Sequence, residues 1–177
     1  MRRSGRVPKV LWLSSSPKGD TGYGRAAREL LRRLDDGGRY EIHCLSCGPA
    51  LPPEAWRSRP PMRFSLREEA SWEGARNVFA EVCAEVGPHA IASFSDVWVV
   101  DWLRDPGLRA DRPWIGYYTI DGEPLPRPWQ DILWDTDHAV ACSKYGHSVM
   151  SGALPGKKIA VIPLGVDGDV FRPLPDR

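Results

Sequence analysis

The strongest constraint on this chain is alternation. Short apolar runs recur from one end to the other, and stretches with helical spacing separate them. Val10–Ser14 is an apolar run that ends in serines and a proline, the pattern of a strand buried on both faces. Gly24–Leu34 then places Ala26, Ala27, Leu30, Leu31 and Leu34 on one helical face and Arg28, Glu29, Arg32 and Arg33 on the other, until Asp35-Asp36-Gly37-Gly38 stops it. Further strands are predicted over Tyr40–Ser46, Met62–Leu66, Ala90–Phe94, Trp114–Thr119, His138–Cys142 and Ile159–Ile162. Helices are predicted from a Ser71 cap to Val86, over Val97–Leu103, Pro128–Trp134 and Tyr145–Leu154. A chain of βα units packs as an open α/β fold, a parallel sheet covered by helices on both faces. The stretch from Pro49 to Pro61 breaks the rhythm as a long proline-rich loop.

Such a sheet gathers its strand C-termini on one edge, and ligands of open α/β folds bind there. The segments that fall at that edge are Ser15–Tyr23, Cys47–Arg59, Ser95–Asp96, Ile120–Arg127, Ser143–Lys144 and Pro163–Asp167. The first reads Ser16-Pro17-Lys18-Gly19-Asp20-Thr21-Gly22-Tyr23-Gly24-Arg25. Its glycines permit a sharp strand-to-helix turn, and the helix that follows points free N–H groups at the edge, where a phosphate or sugar hydroxyl fits. A tight turn with no ligand explains the same glycines equally well, and Ala27 spoils a Gly-x-Gly-x-x-Gly fingerprint. Asp121 and Glu123 follow the fifth strand. A carboxylate there can take a proton from an acceptor hydroxyl, and Asp121-Gly122 is also a strong turn dipeptide. Ser143 can cap the next helix, and Lys144 can meet a phosphate or stay solvated.

Bulk properties narrow the alternatives. The 177 residues suit one domain, expected to span 1–177. Hydrophobic residues make up 42% and charged ones 27%, ordinary for a soluble globular protein. A formal net charge of +1 gives no drive toward nucleic acid. The basic start lacks the apolar run of a signal peptide, so the expected location is cytoplasmic. Cys44 and Cys47 have Cys-x-x-Cys spacing, but Cys83 and Cys142 are unpaired in sequence and the four read as buried thiols. His43, His89, His138 and His147 are scattered without metal-ligand spacing, so no metal is expected. No Gly-x-Ser-x-Gly elbow suggests a hydrolase.

Four segments occur in a recognisable order: Val10–Ser14 with Thr21–Arg25, Tyr117–Gly122, Asp137–Gly146, and Val161–Asp167 with Phe171-Arg172-Pro173. Together they resemble the N-terminal half of family 4 glycosyltransferases, which are retaining, metal-independent enzymes of GT-B architecture. The resemblance implies a Rossmann-like acceptor-side domain, with a separate C-terminal domain holding the nucleotide sugar. It implies that Gly22, Tyr23, Gly24 and Arg25 face donor phosphates or acceptor. It places Asp121 near the reacting sugar as the catalytic carboxylate, Asp96, Ser143 and Lys144 along the cleft, and Gly165 and Asp167 at the hinge. Arg25 suits a diphosphate leaving group. No cofactor is implied beyond the nucleotide-sugar substrate.

The donor-binding half is absent from these residues, so the isolated chain is expected to be inactive; a non-catalytic sugar- or partner-binding module is the competing expectation. Partners are then a hydroxyl acceptor, and a nucleotide sugar only alongside the second domain. Peripheral contact with a membrane and self-association through the cleft surface stay open. Aromatic residues near the edge, among them Tyr23, Trp98, Trp129 and Phe171, are expected to be partly uncovered, and the Pro49–Pro61 loop is where acceptor specificity would be sought.

Overall fold

The computed structural model describes residues 7–50, 52, 63–168, 171 and 172. Strands β1 (Lys9–Ser15), β2 (Glu41–Cys47), β3 (Ser65–Glu69), β4 (Ala90–Ser95), β5 (Trp114–Tyr118), β6 (His138–Ala141) and β7 (Ile159–Val161) form one sheet in the order β3-β2-β1-β4-β5-β6-β7. Every neighbouring pair is parallel. Helix α1 (Gly22–Asp36) joins β1 to β2, and α2 (Trp72–Val86) carries the chain from β3 back across to β4. A 3-10 helix (Val97–Arg104), α3 (Arg127–Asp135) and α4 (Lys144–Ala153) make the crossovers from β4 to β5, β5 to β6 and β6 to β7. The chain therefore winds outward from β1 in one direction, reverses after β3, and winds outward again from β4. That reversal leaves a crevice between the ends of β1 and β4.

Strand alternation sorts the core into two layers. Leu11, Leu13, Leu45, Ile91, Trp114 and Tyr118 face α2, the 3-10 helix, α3 and α4. Trp12, Ile42, Cys44, Ala92, Phe94, Tyr117 and Val140 lie on the other face with Ala27 and Leu31 of α1. Helices thus cover both faces, as the sequence pattern requires. The same alternation dissolves the Cys-x-x-Cys reading, because positions three apart on a strand point to opposite faces. Cys44 packs in the α1 layer and Cys47 in the other, both buried. Among the described residues no cluster of three or more His, Cys, Asp and Glu side chains could hold a metal ion, and no helix is long and apolar enough to cross a membrane.

The elements depart from the sequence reading in two places. The third strand is Ser65–Glu69, shifted from the expected Met62–Leu66 and built of polar residues. It is the edge strand beyond β2, held by its parallel ladder to β2, by Leu66 packed on the α1-side core, and by ion pairs of Lys18 with Glu68 at 2.7 Å and Arg67 with Glu81 at 3.1 Å. The expected helix at Val97–Leu103 is present with 3-10 geometry and a kink at Val100. Most of the Pro49–Pro61 loop lies outside the described residues, as does Trp56.

Candidate functional site

The end of β1 runs into a loop that is clasped on both sides. Ser16 Oγ and Lys18 Nζ donate to the Glu68 carboxylate of β3, and Arg28 of α1 donates to the Pro17 carbonyl at 3.0 Å. Thr21 caps α1, its hydroxyl accepting from the Gly24 N–H at 3.0 Å. Gly24 sits where a Cβ would lie 2.6 Å from the Ser16 carbonyl oxygen and 2.9 Å from that of Gly19. Only a residue without a side chain lets the helix start this close to the loop. Gly24 is therefore accounted for by geometry, whereas a Cβ at Gly22 would meet nothing within 4 Å.

Tyr23 reaches across the crevice. Its hydroxyl donates to Asp96 Oδ1 at 2.6 Å and also contacts the Thr119 hydroxyl. Its ring packs edge-on against Phe94 at 5.0 Å, and Phe94 stacks on Tyr117 at 5.1 Å, so an aromatic floor underlies the polar groups. Burial, reinforced by the Asp96 hydrogen bond, pushes the Tyr23 hydroxyl well above the ordinary tyrosine range, which keeps it a proton-bearing donor. Burial likewise pushes Tyr117 up to about 12, and its hydroxyl donates to the Ile162 carbonyl at 2.6 Å.

Asp96 occupies the N-cap position of the 3-10 helix yet makes no side-chain cap hydrogen bond. Its carboxylate serves Tyr23 instead, and Oδ2 makes no further hydrogen bond among the described residues. Strands β1, β4 and β5 are adjacent, so Tyr23, Asp96 and Thr119 form one knot at the switch point. Thr119 was missed in the sequence. Strand alternation carried past the strand ends would have found it: Asp96 follows Phe94 by two and Thr119 follows Tyr117 by two, on the face that α1 covers.

The other sequence candidates fall around this knot in different states. Arg25 is exposed and forks onto the Asp20 carboxylate, with contacts of 2.7 and 2.8 Å. Asp121 is exposed and neither caps a helix nor forms an ion pair among the described residues, so the turn-bracing role is not seen. Ser143 caps α4 by accepting from the Gly146 N–H at 2.9 Å, the structural alternative named for it. Lys144 is exposed in the first turn of that helix. Gly165 and Asp167 lie in the exposed segment after β7, where the Asp167 carbonyl accepts from Phe171 N–H at 2.8 Å. Of the aromatics expected to be uncovered, Trp98 and Phe171 are exposed and Tyr23 and Trp129 are half-buried.

These features describe an open parallel α/β lobe with polar side chains gathered at its switch point. No family model and no curated protein matches the sequence. Solved structures do match its fold. MurG of Acinetobacter baumannii is 9% identical with a TM-score of 0.59, covering 90% of this chain and 47% of that one. An α-glucosyltransferase solved with UDP-glucose and DNA containing an abasic site is 12% identical with a TM-score of 0.56, covering 90% of this chain and 43% of that one. TcCGT1, solved in complex with UDP, is 12% identical with a TM-score of 0.57, covering 97% and 54%. The chain thus spans about half the length of the solved structures it matches. At these identities the likeness shows the fold alone, a Rossmann-like α/β lobe of the kind these two-lobed structures contain.

Proposed function

We propose that the chain is the acceptor-side lobe of a retaining, nucleotide-sugar-dependent glycosyltransferase of family 4 type, completed by a donor-binding lobe. The observation that carries this reading is the Tyr23–Asp96–Thr119 knot at the switch point of a lobe that shares its fold with sugar-transferring enzymes. The matched structures solved with UDP or UDP-glucose support a nucleotide sugar as donor.

The chemistry assigns work to this chain's residues. An acceptor hydroxyl attacks the anomeric carbon on the same face from which the diphosphate departs, as the bond from that carbon to the diphosphate oxygen breaks, so that the configuration is retained. Asp121, an unspent carboxylate at the rim, takes the hydroxyl proton. Tyr23 holds Asp96 so that Oδ2 accepts from a second acceptor hydroxyl and fixes its orientation. Arg25 swings from Asp20 to the leaving diphosphate, a move that costs about 1 kcal/mol or less because the pair is exposed. Gly165 to Asp167 form the link that lets the two lobes close. The isolated lobe lacks donor positioning and does not turn over.

The test joins the 177-residue chain to a donor-binding lobe and follows nucleoside diphosphate release from UDP- and GDP-sugars. Release that depends on Asp121 supports the reading. A joined protein that neither binds nor cleaves any donor ends it.

A further inference from the structure

Ser65 opens β3, and its hydroxyl lies 2.8 Å from Nδ1 of His43 on β2. The other ring nitrogen of His43, Nε2, lies 2.8 Å from Glu41 Oε1. Glu41 and His43 are two apart on one strand and share a face, and His43 is the register partner of Ser65 in the parallel ladder. A carboxylate accepts and cannot donate, so Nε2 carries a proton and gives it to Glu41. In the neutral ring Nδ1 then holds the lone pair, and the Ser65 O–H donates to it. The His43 hydrogen bond holds the Glu41 carboxyl below the usual carboxylate range, and Lys9 Nζ pairs with the same oxygen at 3.5 Å.

A polar pair across β2 and β3 stabilises an edge strand, but that role needs neither a carboxylate on the far nitrogen nor a cavity beside the hydroxyl. Ser65 and His43 line a cavity of about 340 Å³ beside the C-terminal half of α2, and Lys9, Leu11, Val82 and Val86 share its wall. Leu11 and Val82 belong to the buried core, so part of that wall is apolar and fixed. Lys9 Nζ donates to the Val86 carbonyl at 3.1 Å and pairs with Glu41, which leaves its third N–H without a partner among the described residues. Other serines are differently placed. Ser71 and Ser143 accept at helix caps, and Ser151 approaches His147 only to 3.4 Å, with no carboxylate on that ring among the described residues. No Gly-x-Ser-x-Gly elbow marks Ser65, and only the strand pairing brings it to His43. Lys9 and Ser65 each begin a strand, so the cavity lies at the end of the sheet opposite the Tyr23–Asp96–Thr119 crevice.

The geometry points to a second reactive centre, in which Ser65 is the nucleophile, His43 its base and Glu41 the carboxylate that orients the base, acting on esters of short-chain acids. It is independent of the transfer reading above. Either ring nitrogen can serve as base, provided its lone pair faces the hydroxyl, and the Glu41 contact fixes that choice. Ser65 Oγ attacks the ester carbonyl carbon as its proton passes to His43 Nδ1, and Lys9 offers its remaining N–H to the oxyanion. The bond from the carbonyl carbon to the alcohol oxygen breaks, and that oxygen takes the proton from Nδ1. Water then attacks the acyl group on Ser65 and gives its proton to Nδ1. The bond to Oγ breaks, the proton returns to Oγ, and the carboxylic acid leaves. The apolar wall of Leu11, Val82 and Val86 receives the acyl chain.

The experiment gives the 177-residue chain p-nitrophenyl acetate and p-nitrophenyl butyrate and follows p-nitrophenolate release. A parallel sample is treated with a fluorophosphonate, and the modified residue is mapped by peptide mass spectrometry. Turnover is expected, with the phosphonyl group on Ser65. Ser65→Ala and His43→Gln are each expected to lower kcat about 100-fold or more. Glu41→Gln is expected to lower kcat about 10-fold or more with KM little changed, and Lys9→Met to lower it about 100-fold. Unfolding midpoints of the variants separate lost chemistry from a lost fold, and the adduct map on the unaltered chain needs no variant. Release no faster than in buffer, release that survives Ser65→Ala, or a phosphonyl group on another residue overturns the proposal. No nucleotide sugar enters this measurement, so its failure leaves the transfer reading standing, and a joined protein that releases no nucleoside diphosphate leaves this centre standing.

Discussion

Two glycines two residues apart in α1 should respond oppositely to the same substitution. Gly22 and Gly24 both lie in the first turn, where alanine relieves a helix of glycine's backbone entropy by up to about 1 kcal/mol. At Gly22 a Cβ meets nothing within 4 Å, so Gly22→Ala keeps that gain. At Gly24 the new carbon would lie 2.6 and 2.9 Å from two backbone carbonyl oxygens, Ser16 and Gly19. Neither is a flexible side-chain end, and the Glu68 and Arg28 contacts pin the loop they belong to. Relief therefore needs a backbone shift, which costs about 1–3 kcal/mol by analogy with overpacked cores. The balance for Gly24→Ala is a net loss of up to about 2 kcal/mol, or a fall in Tm of up to about 8 °C for a chain this size, against the gain at Gly22. Urea and thermal unfolding of the two variants side by side read the difference. The helix start also carries Tyr23, so Gly24→Ala should disturb the Asp96 contact, visible as a changed Tyr23 signal by NMR. A Gly24→Ala protein as stable as Gly22→Ala would refute the close-approach argument.

Gly116→Ala would drive a methyl into the ring of Tyr118, which is fully buried and hydrogen-bonded to Thr136 at 2.8 Å; a loss of about 3 kcal/mol or more is expected in urea unfolding. Tyr23→Phe and Asp96→Asn should each cost about 1–2 kcal/mol, and a double-mutant cycle should return a coupling of about 1 kcal/mol; additive losses would mean that the hydroxyl and carboxylate do not share a bond in solution. Burial pushes the Cys83 thiol up to about 11 and the Cys47 thiol up to about 12. An acid whose folded pKa is raised stays protonated while the unfolded chain ionises, so stability should be intact below about pH 8.5 and fall as pH rises from there to the folded values. A Cys47→Ala, Cys83→Ala protein should show a flatter alkaline limb in unfolding midpoint against pH, and an identical limb would count against burial as the cause.

Strand and helix placement was legible wherever burial dictated it. The β1, β2 and β4 runs are apolar because helices cover both faces, and the Ser71 and Ser143 caps announce α2 and α4 by chemistry that needs no tertiary context. The β3 strand was misplaced for the converse reason. An edge strand of sequence Ser-Leu-Arg-Glu-Glu carries its stabilisation in cross-strand pairing and ion pairs, and neither leaves an apolar period to read. Thr119 was hidden because a hydroxyl at a strand end looks like any loop residue until Tyr23 arrives from α1. The ring stacking of Trp98 on Trp129 was only half visible: exposure near the rim was foreseeable, but the meeting of residues 31 positions apart depends on two crossovers landing side by side.

The rim residues divide by what their polar atoms already do, and that division decides which can act on a ligand. The Ser143 hydroxyl accepts at a helix cap, the Ser16 hydroxyl and the Lys18 ammonium donate to Glu68, and Gly24 has two carbonyl oxygens packed against it. Recruiting the Ser16 hydroxyl or the Lys18 ammonium would draw on contacts the fold uses, whereas Ser143 can keep its cap and still donate its O–H. Asp121 and Lys144 are exposed with no such commitment among the described residues, and Arg25 is tied only by a solvent-screened pair. Asp96 is the informative case. A carboxylate at a helix N-cap satisfies orphan N–H groups at little cost, and here it forgoes that role to hold Tyr23. Turning the carboxylate into the crevice makes sense if a hydroxyl-bearing molecule supplies its remaining hydrogen bond.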